Sequence, residues 1–118
     1  MVILSIIAKA ESIKRSELLS TCRMIAKQTR QEKGCLDCFL MLEYDNENII
    51  HLEQRWKRRS FMEDHLRSDL FSALIGAIQV LSQSYEIRIN ESPRTEGMEA
   101  IQAAQTNKEG RYKPDSRN

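Results

Sequence analysis

At 118 residues the chain is sized for one domain with a single core, and is small enough that a subunit interface would add materially to its stability. Its 18 basic and 17 acidic residues leave a formal charge of +1, which removes the electrostatic case for nucleic acid or an anionic membrane as partner. The longest apolar run, Val2–Ala8 broken by Ser5, is too short to span a bilayer and lacks the basic start of a signal peptide, so a soluble, cytoplasmic protein is expected.

Val2–Ala10 alternates loosely and is rich in β-branched residues, the pattern of a first strand. From Arg15 to Glu32, Leu18, Leu19, Cys22, Ile25, Ala26 and Thr29 make one apolar stripe of an amphipathic helix. Gly34 suits the C′ position that ends it. The opposite face, with Arg23, Lys27, Arg30 and Lys33, is a solvated basic surface near the negative end of the helix dipole.

The cysteines Cys22, Cys35 and Cys38 are three, an odd number, and are expected to be thiols. Cys35-Leu36-Asp37-Cys38 spells CxxC, but the motif opens a strand, where residues three apart point to opposite faces. No second CxxC or nearby His completes a zinc set, so no metal site is expected.

Cys35–Tyr44 and Ile49–Trp56 flank the turn-rich Asp45-Asn46-Glu47-Asn48 and are predicted to pair as an antiparallel hairpin. On the second of these strands Ile50, Leu52, Gln54 and Trp56 share the face expected to meet helices, while Ile49, His51, Glu53 and Arg55 share the other. Lys57-Arg58-Arg59 is a solvated connection. Ser60 and Glu63 have the spacing of a reciprocal capping box for a short helix over Phe61–Arg67, which carries His65. Ser68 or Asp69 caps a second helix with Leu70, Phe71, Leu74, Ile75, Ile78 and Leu81 on its buried stripe. Gly76 inside it costs about 1 kcal/mol relative to Ala and is read as permitting close packing. Tyr85–Ile89 alternates as a fourth strand. From Pro93 the composition turns polar, so residues 93–118 are read as a tail after a domain of residues 1–92. Met98, Ile101 and Ala104 are spaced for a short helix near residues 97–105, with little fixed structure expected beyond Thr106.

The order βαββαβ, with the second helix broken in two, closes most simply as a ferredoxin-like α+β fold: a four-stranded antiparallel sheet with helices on one face. The uncovered face would mix Ile3, Ile7, Phe39, Met41 and Ile49 with charged residues, which is too apolar for water. A second copy of the same face resolves this, so a homodimer is expected, with His51, Glu53 and Arg55 at its interface.

Gly34-Cys35 before an alternating strand, then Gln54-Arg55-Trp56, His65-Leu66 nine residues after the Trp, and then Phe71 and Leu74, resemble the antibiotic biosynthesis monooxygenase domain of the dimeric α+β barrel superfamily over residues 2–90. The resemblance implies a dimer whose sheets pair into a barrel and a pocket between sheet and helices. It implies chemistry ranging from oxygenation of polycyclic phenols and quinols without metal or flavin, through haem degradation and isomerisation, to binding alone. Where many members place Glu two residues before the Trp, this chain has Gln54, and where many carry a second His before the Phe, it has Leu70. Haem-degrading relatives carry an axial His in the region matching Leu74–Gly76, and this chain has none, so no haem is expected.

The candidate pocket therefore gathers His65 with Gln54, Trp56, Phe71 and Tyr85, and needs no cofactor. An imidazole titrating near its ordinary pKa of about 6.5 can take a phenolic proton. The electron-rich anion that results would reduce molecular oxygen where water is excluded. His65 would be the base or orient the anion, Gln54 would hydrogen-bond substrate oxygen, and Trp56 and Phe71 would be flat walls for a small aromatic molecule. The alternative stays open: His65 and Trp56 as packing residues of a non-catalytic binding or dimerisation module.

Overall fold

The computed structural model describes residues 1–91 and 96–111. Strand β1 (Val2–Ala10) leads through a short 3-10 turn at Ser12–Lys14 into helix α1 (Arg15–Thr29). The hairpin β2 (Cys35–Leu42) and β3 (Ile49–Trp56) follows, then helices α2 (Arg59–Leu66) and α3 (Asp69–Leu81), strand β4 (Ser82–Glu91) and helix α4 (Met98–Arg111). The four strands form one antiparallel sheet in the order β2-β3-β1-β4, the ferredoxin-like arrangement.

Alternation in β1 and β3 fixes which face is covered. Val2, Leu4, Ile6 and Ala8 pair across from Trp56, Gln54, Leu52 and Ile50, and all eight are buried beneath the helices. Leu18, Cys22, Ile25 and Ala26 of α1 and Leu74, Ile78 and Leu81 of α3 complete the main core. A smaller cluster of Val2, Leu4, Trp56 and Met62, flanked by Cys35, Phe61, Leu66 and Phe71, fills the end of the sheet near α2. On the opposite face Ile3, Ile7, Phe39, Met41 and Ile49 lie among His51, Glu53, Arg55, Glu86 and Arg88, with no layer of the described residues over them. None of the described helices is long and apolar enough to cross a membrane.

Several local expectations are corrected. Helix α1 stops at Thr29, and a run of turns leads from it to Gly34, so that glycine is not the C′ residue of the helix. It does adopt a left-handed φ of +84° at the end of those turns. Helix α2 starts at Arg59 with extended Arg58 before it and no side-chain cap, so the Ser60–Glu63 box does not form. The helix begins two residues too early for it, and Arg58 lies over the Phe61 ring at 4.9 Å. Ser68 does cap α3, its hydroxyl accepting from the Phe71 amide at 3.1 Å. Gly76 permits no close packing, since a Cβ there would meet nothing within 4 Å. Helix α4 runs on past Thr106 to Arg111, while the rest of the expected tail, residues 93–95 and 112–118, lies outside the described residues.

The CxxC segment departs most from its expectation. Cys35 pairs with Trp56 and Asp37 with Arg55, so Leu36 is an extra residue, a bulge against one position of β3. The insertion brings Cys35 and Cys38 to the same, helix-side face rather than opposite ones. All three cysteines are free thiols. Among the described residues no His, Cys, Asp and Glu cluster is arranged to hold a metal ion.

Candidate functional site

The end of β3 places Gln54 and Trp56 two residues apart on the covered face, and the last turn of α2 carries His65 over them. The Trp56 and His65 ring centroids are 5.0 Å apart with the planes tilted by 34°. Phe71, at the start of α3, meets the imidazole edge-on at 5.3 Å. Ser68 fixes the join between the two helices, because its hydroxyl donates to the His65 carbonyl while capping α3. Gln54, Trp56 and His65 are each at most 1% exposed.

Burying three polar side chains so completely is tolerable only if every donor and acceptor is matched, and here they are. The Trp56 indole N–H donates to Gln54 Oε1 at 3.0 Å. The Gln54 amide nitrogen meets His65 Nε2 at 3.1 Å. His65 Nδ1 lies 2.9 and 3.0 Å from the two carboxylate oxygens of Glu32. Among the described residues no buried side-chain nitrogen or oxygen is left without a partner.

Glu32 is the member of this chain of contacts that sequence reasoning missed. It sits in the turns after α1, its amide donating to the Thr29 carbonyl at 3.0 Å and its carbonyl accepting from the Cys35 amide at 3.1 Å. Its side chain is 30% exposed, so the run of hydrogen bonds extends from a buried indole to a carboxylate in contact with solvent. The adjoining turn is set by Gly34, whose Cα lies against Phe61, while Lys33 and Arg58 approach that ring at 5.9 and 4.9 Å. Burial pushes the Cys38 thiol up to about 12 and that of Cys22, in the main core, up to about 11, and burial also raises Cys35.

The structure thus brings Gln54, Trp56, His65 and Phe71 together, but not Tyr85. That residue pairs with Ala8, six positions along β1 from Val2 beside Trp56, and it is 43% exposed. Its hydroxyl accepts from Gln79 at 3.4 Å. It lies on β4, an edge strand of the sheet, where Ile87 and Ile89 on the same face are exposed as well. Both ends of the Gln54 amide are engaged within the cluster. On the uncovered face His51 pairs with Glu43 at 2.9 Å and Arg55 with Glu53 at 2.9 Å. A shallow groove of about 330 Å³ on that face is lined by Ile7, Lys9, Ile49, Ser84, Tyr85 and Glu86, away from His65.

Comparison with known proteins agrees with this architecture. A Deinococcus radiodurans protein assigned to the antibiotic biosynthesis monooxygenases superposes with a TM-score of 0.78 at 23% identity, covering 82% of this chain and 97% of that one. Rv0793 from Mycobacterium tuberculosis gives 0.74 at 18% identity, covering 81% and 98%. A conserved Methanosarcina mazei protein gives 0.72 at 23% identity, covering 77% and 91%. At these identities the likeness is one of fold. No curated protein matches the chain significantly. The family model for antibiotic biosynthesis monooxygenase matches residues 1–77, which takes in β1 through the greater part of α3 with the whole Glu32–His65–Gln54–Trp56 run, and by that match the chain belongs to the antibiotic biosynthesis monooxygenase family.

Proposed function

We propose that the chain is a cofactor-independent monooxygenase for small aromatic molecules of the quinol type, working as a homodimer joined through the open sheet face. A quinol anion is itself a reductant for molecular oxygen. The protein then has only to take a proton, hold a flat ring and exclude water. The observation that supports this reading is the carboxylate–imidazole pair of Glu32 and His65, bonded at 2.9 Å beside the rings of Trp56 and Phe71. A second reading, a non-catalytic small-molecule-binding or dimerisation module, is favoured by a different observation: both His65 nitrogens are already bonded and the ring is 1% exposed.

Oxygen uptake separates the two. Purified protein is incubated under air with a panel of hydroquinones and anthrones, and wild type is compared with His65→Ala. Breaking the carboxylate–imidazole pair by this substitution is expected to lower turnover by about 100-fold or more. Uptake no faster than that of the same compounds without protein leaves the binding-module reading in place, and uptake above that level but equal in both proteins removes His65 from the chemistry. The same preparation tests the dimer: light scattering should return twice the 13.7 kDa chain mass, and Ile7→Glu on the open face should return a folded monomer.

A further inference from the structure

We infer that Glu32, and not His65, is the group that takes the proton from substrate; the inference rests on the oxygenase reading above. It follows from the direction of the hydrogen bonds. An indole N–H can only donate, so Gln54 must turn its oxygen to Trp56, at 3.0 Å, and its NH2 to His65 Nε2, at 3.1 Å. An amide nitrogen has no lone pair to offer. Nε2 is therefore the acceptor, and the ring proton of the neutral imidazole sits on Nδ1, from which it donates to the Glu32 carboxylate.

Directionality decides the roles. The one basic lone pair of His65 points inward, held by an amide that is itself fully buried. The nitrogen facing the rim, Nδ1, already carries a hydrogen and cannot accept one. Within the cluster only the Glu32 carboxylate is both an acceptor and in contact with solvent, with 30% of its side chain exposed. The backbone bonds of Glu32 to Thr29 and Cys35 hold it there.

In the proposed step the acidic O–H of a phenol, or the activated C–H of an anthrone, breaks with its electron pair left on the substrate. A new O–H forms on Glu32. His65 keeps its own proton throughout and steadies the carboxyl group through Nδ1–H, which makes it a positioning residue. The substrate class is a flat, uncharged aromatic acid able to present its acidic hydrogen at the rim of the cluster.

Two measurements on the full chain test this. Nitrogen-15 NMR of the His65 ring should show a neutral imidazole protonated at Nδ1. In Gln54→Glu the new carboxylate can only accept, so a proton should appear on Nε2. Finding wild-type His65 protonated at Nε2 overturns the inference whatever the activity. In oxygen uptake with a quinol turned over by wild type, Glu32→Gln should lower kcat by about 100-fold or more while the Nδ1–H tautomer persists, because the carbonyl oxygen of the substituted amide still accepts from it. A Glu32→Gln protein with kcat within about threefold of wild type overturns the proposed base but leaves the oxygenase reading standing. Wild type inert on the whole panel removes both.

Discussion

Gly34 shows how much a single residue decides at this site. Its φ of +84° is a region where a side chain costs about 1–2 kcal/mol, and an added Cβ would run into the Phe61 ring. Gly34→Ala should therefore lose about 2 kcal/mol or more of unfolding free energy, read as a lower urea midpoint with unchanged slope. A midpoint within error of wild type would show that neither the left-handed φ nor the Phe61 contact carries the expected cost. At this same scale, four members of the buried cluster were legible in the sequence: Gln54 and Trp56 from strand alternation, and His65 and Phe71 from helical spacing just after it. Glu32 was not. It reaches His65 across 33 residues of chain from a turn that the apolar stripe of α1 had absorbed into the helix. Only a buried His with no visible partner hinted that a carboxylate had to come from elsewhere. Tyr85 was assigned to the right sheet face, but position along a strand relative to a distant helix is not written in alternation.

Among the elements, those with strong periodicity were placed closely: β1 and β3 coincide with their expected bounds, and the capped start of α3 is as read. The misplacements come from interactions with no sequence period. The capping box at Ser60 lost to an earlier helix start with Arg58 stacked on Phe61. The bulge at Leu36 reversed the facing of one cysteine, since a single inserted residue exchanges the two sides of a strand. Strand β4 is longer than its alternation because it pairs with β1 along nearly the whole of that strand. Gly76 offers a test at this level. With open space where its Cβ would be, Gly76→Ala should raise stability by about 1 kcal/mol, through helix propensity alone, as a higher urea midpoint. A loss of stability would mean that something not in the single chain packs against that surface.

For the molecule as a whole, the fold class followed from element order, whereas the open face is accounted for only by the second chain proposed above. Stability at alkaline pH is a whole-molecule consequence of the buried thiols. Cys22 and Cys38 ionise near 11 and 12 in the folded protein, against 9.0 as the reference for an exposed thiol. Above pH 9 the unfolded chain therefore binds fewer protons than the folded one, and unfolding becomes easier as pH rises. The stabilisation is intact below pH 9 and drains away up to about 11 for Cys22 and about 12 for Cys38. Each thiol contributes a slope of about 1.4 kcal/mol per pH unit within its window. Urea midpoints from about pH 8.5 to about 11 should fall more steeply for wild type than for a Cys22→Ala, Cys38→Ala double variant. Parallel curves would mean that the thiols titrate alike folded and unfolded.

The extra residue at Leu36 also governs how such a sheet meets its own kind. Strand β2 is outermost in the sheet, and an outermost strand with evenly spaced amide and carbonyl groups is a template on which further strands can stack without limit. The bulge breaks that spacing at the start of β2, and a register shift between Lys9 and Ala10 disturbs the pairing of β1 with the opposite outer strand. With both rims made irregular, edge-to-edge stacking into endless ribbons is disfavoured, which is what the closed pair proposed above requires.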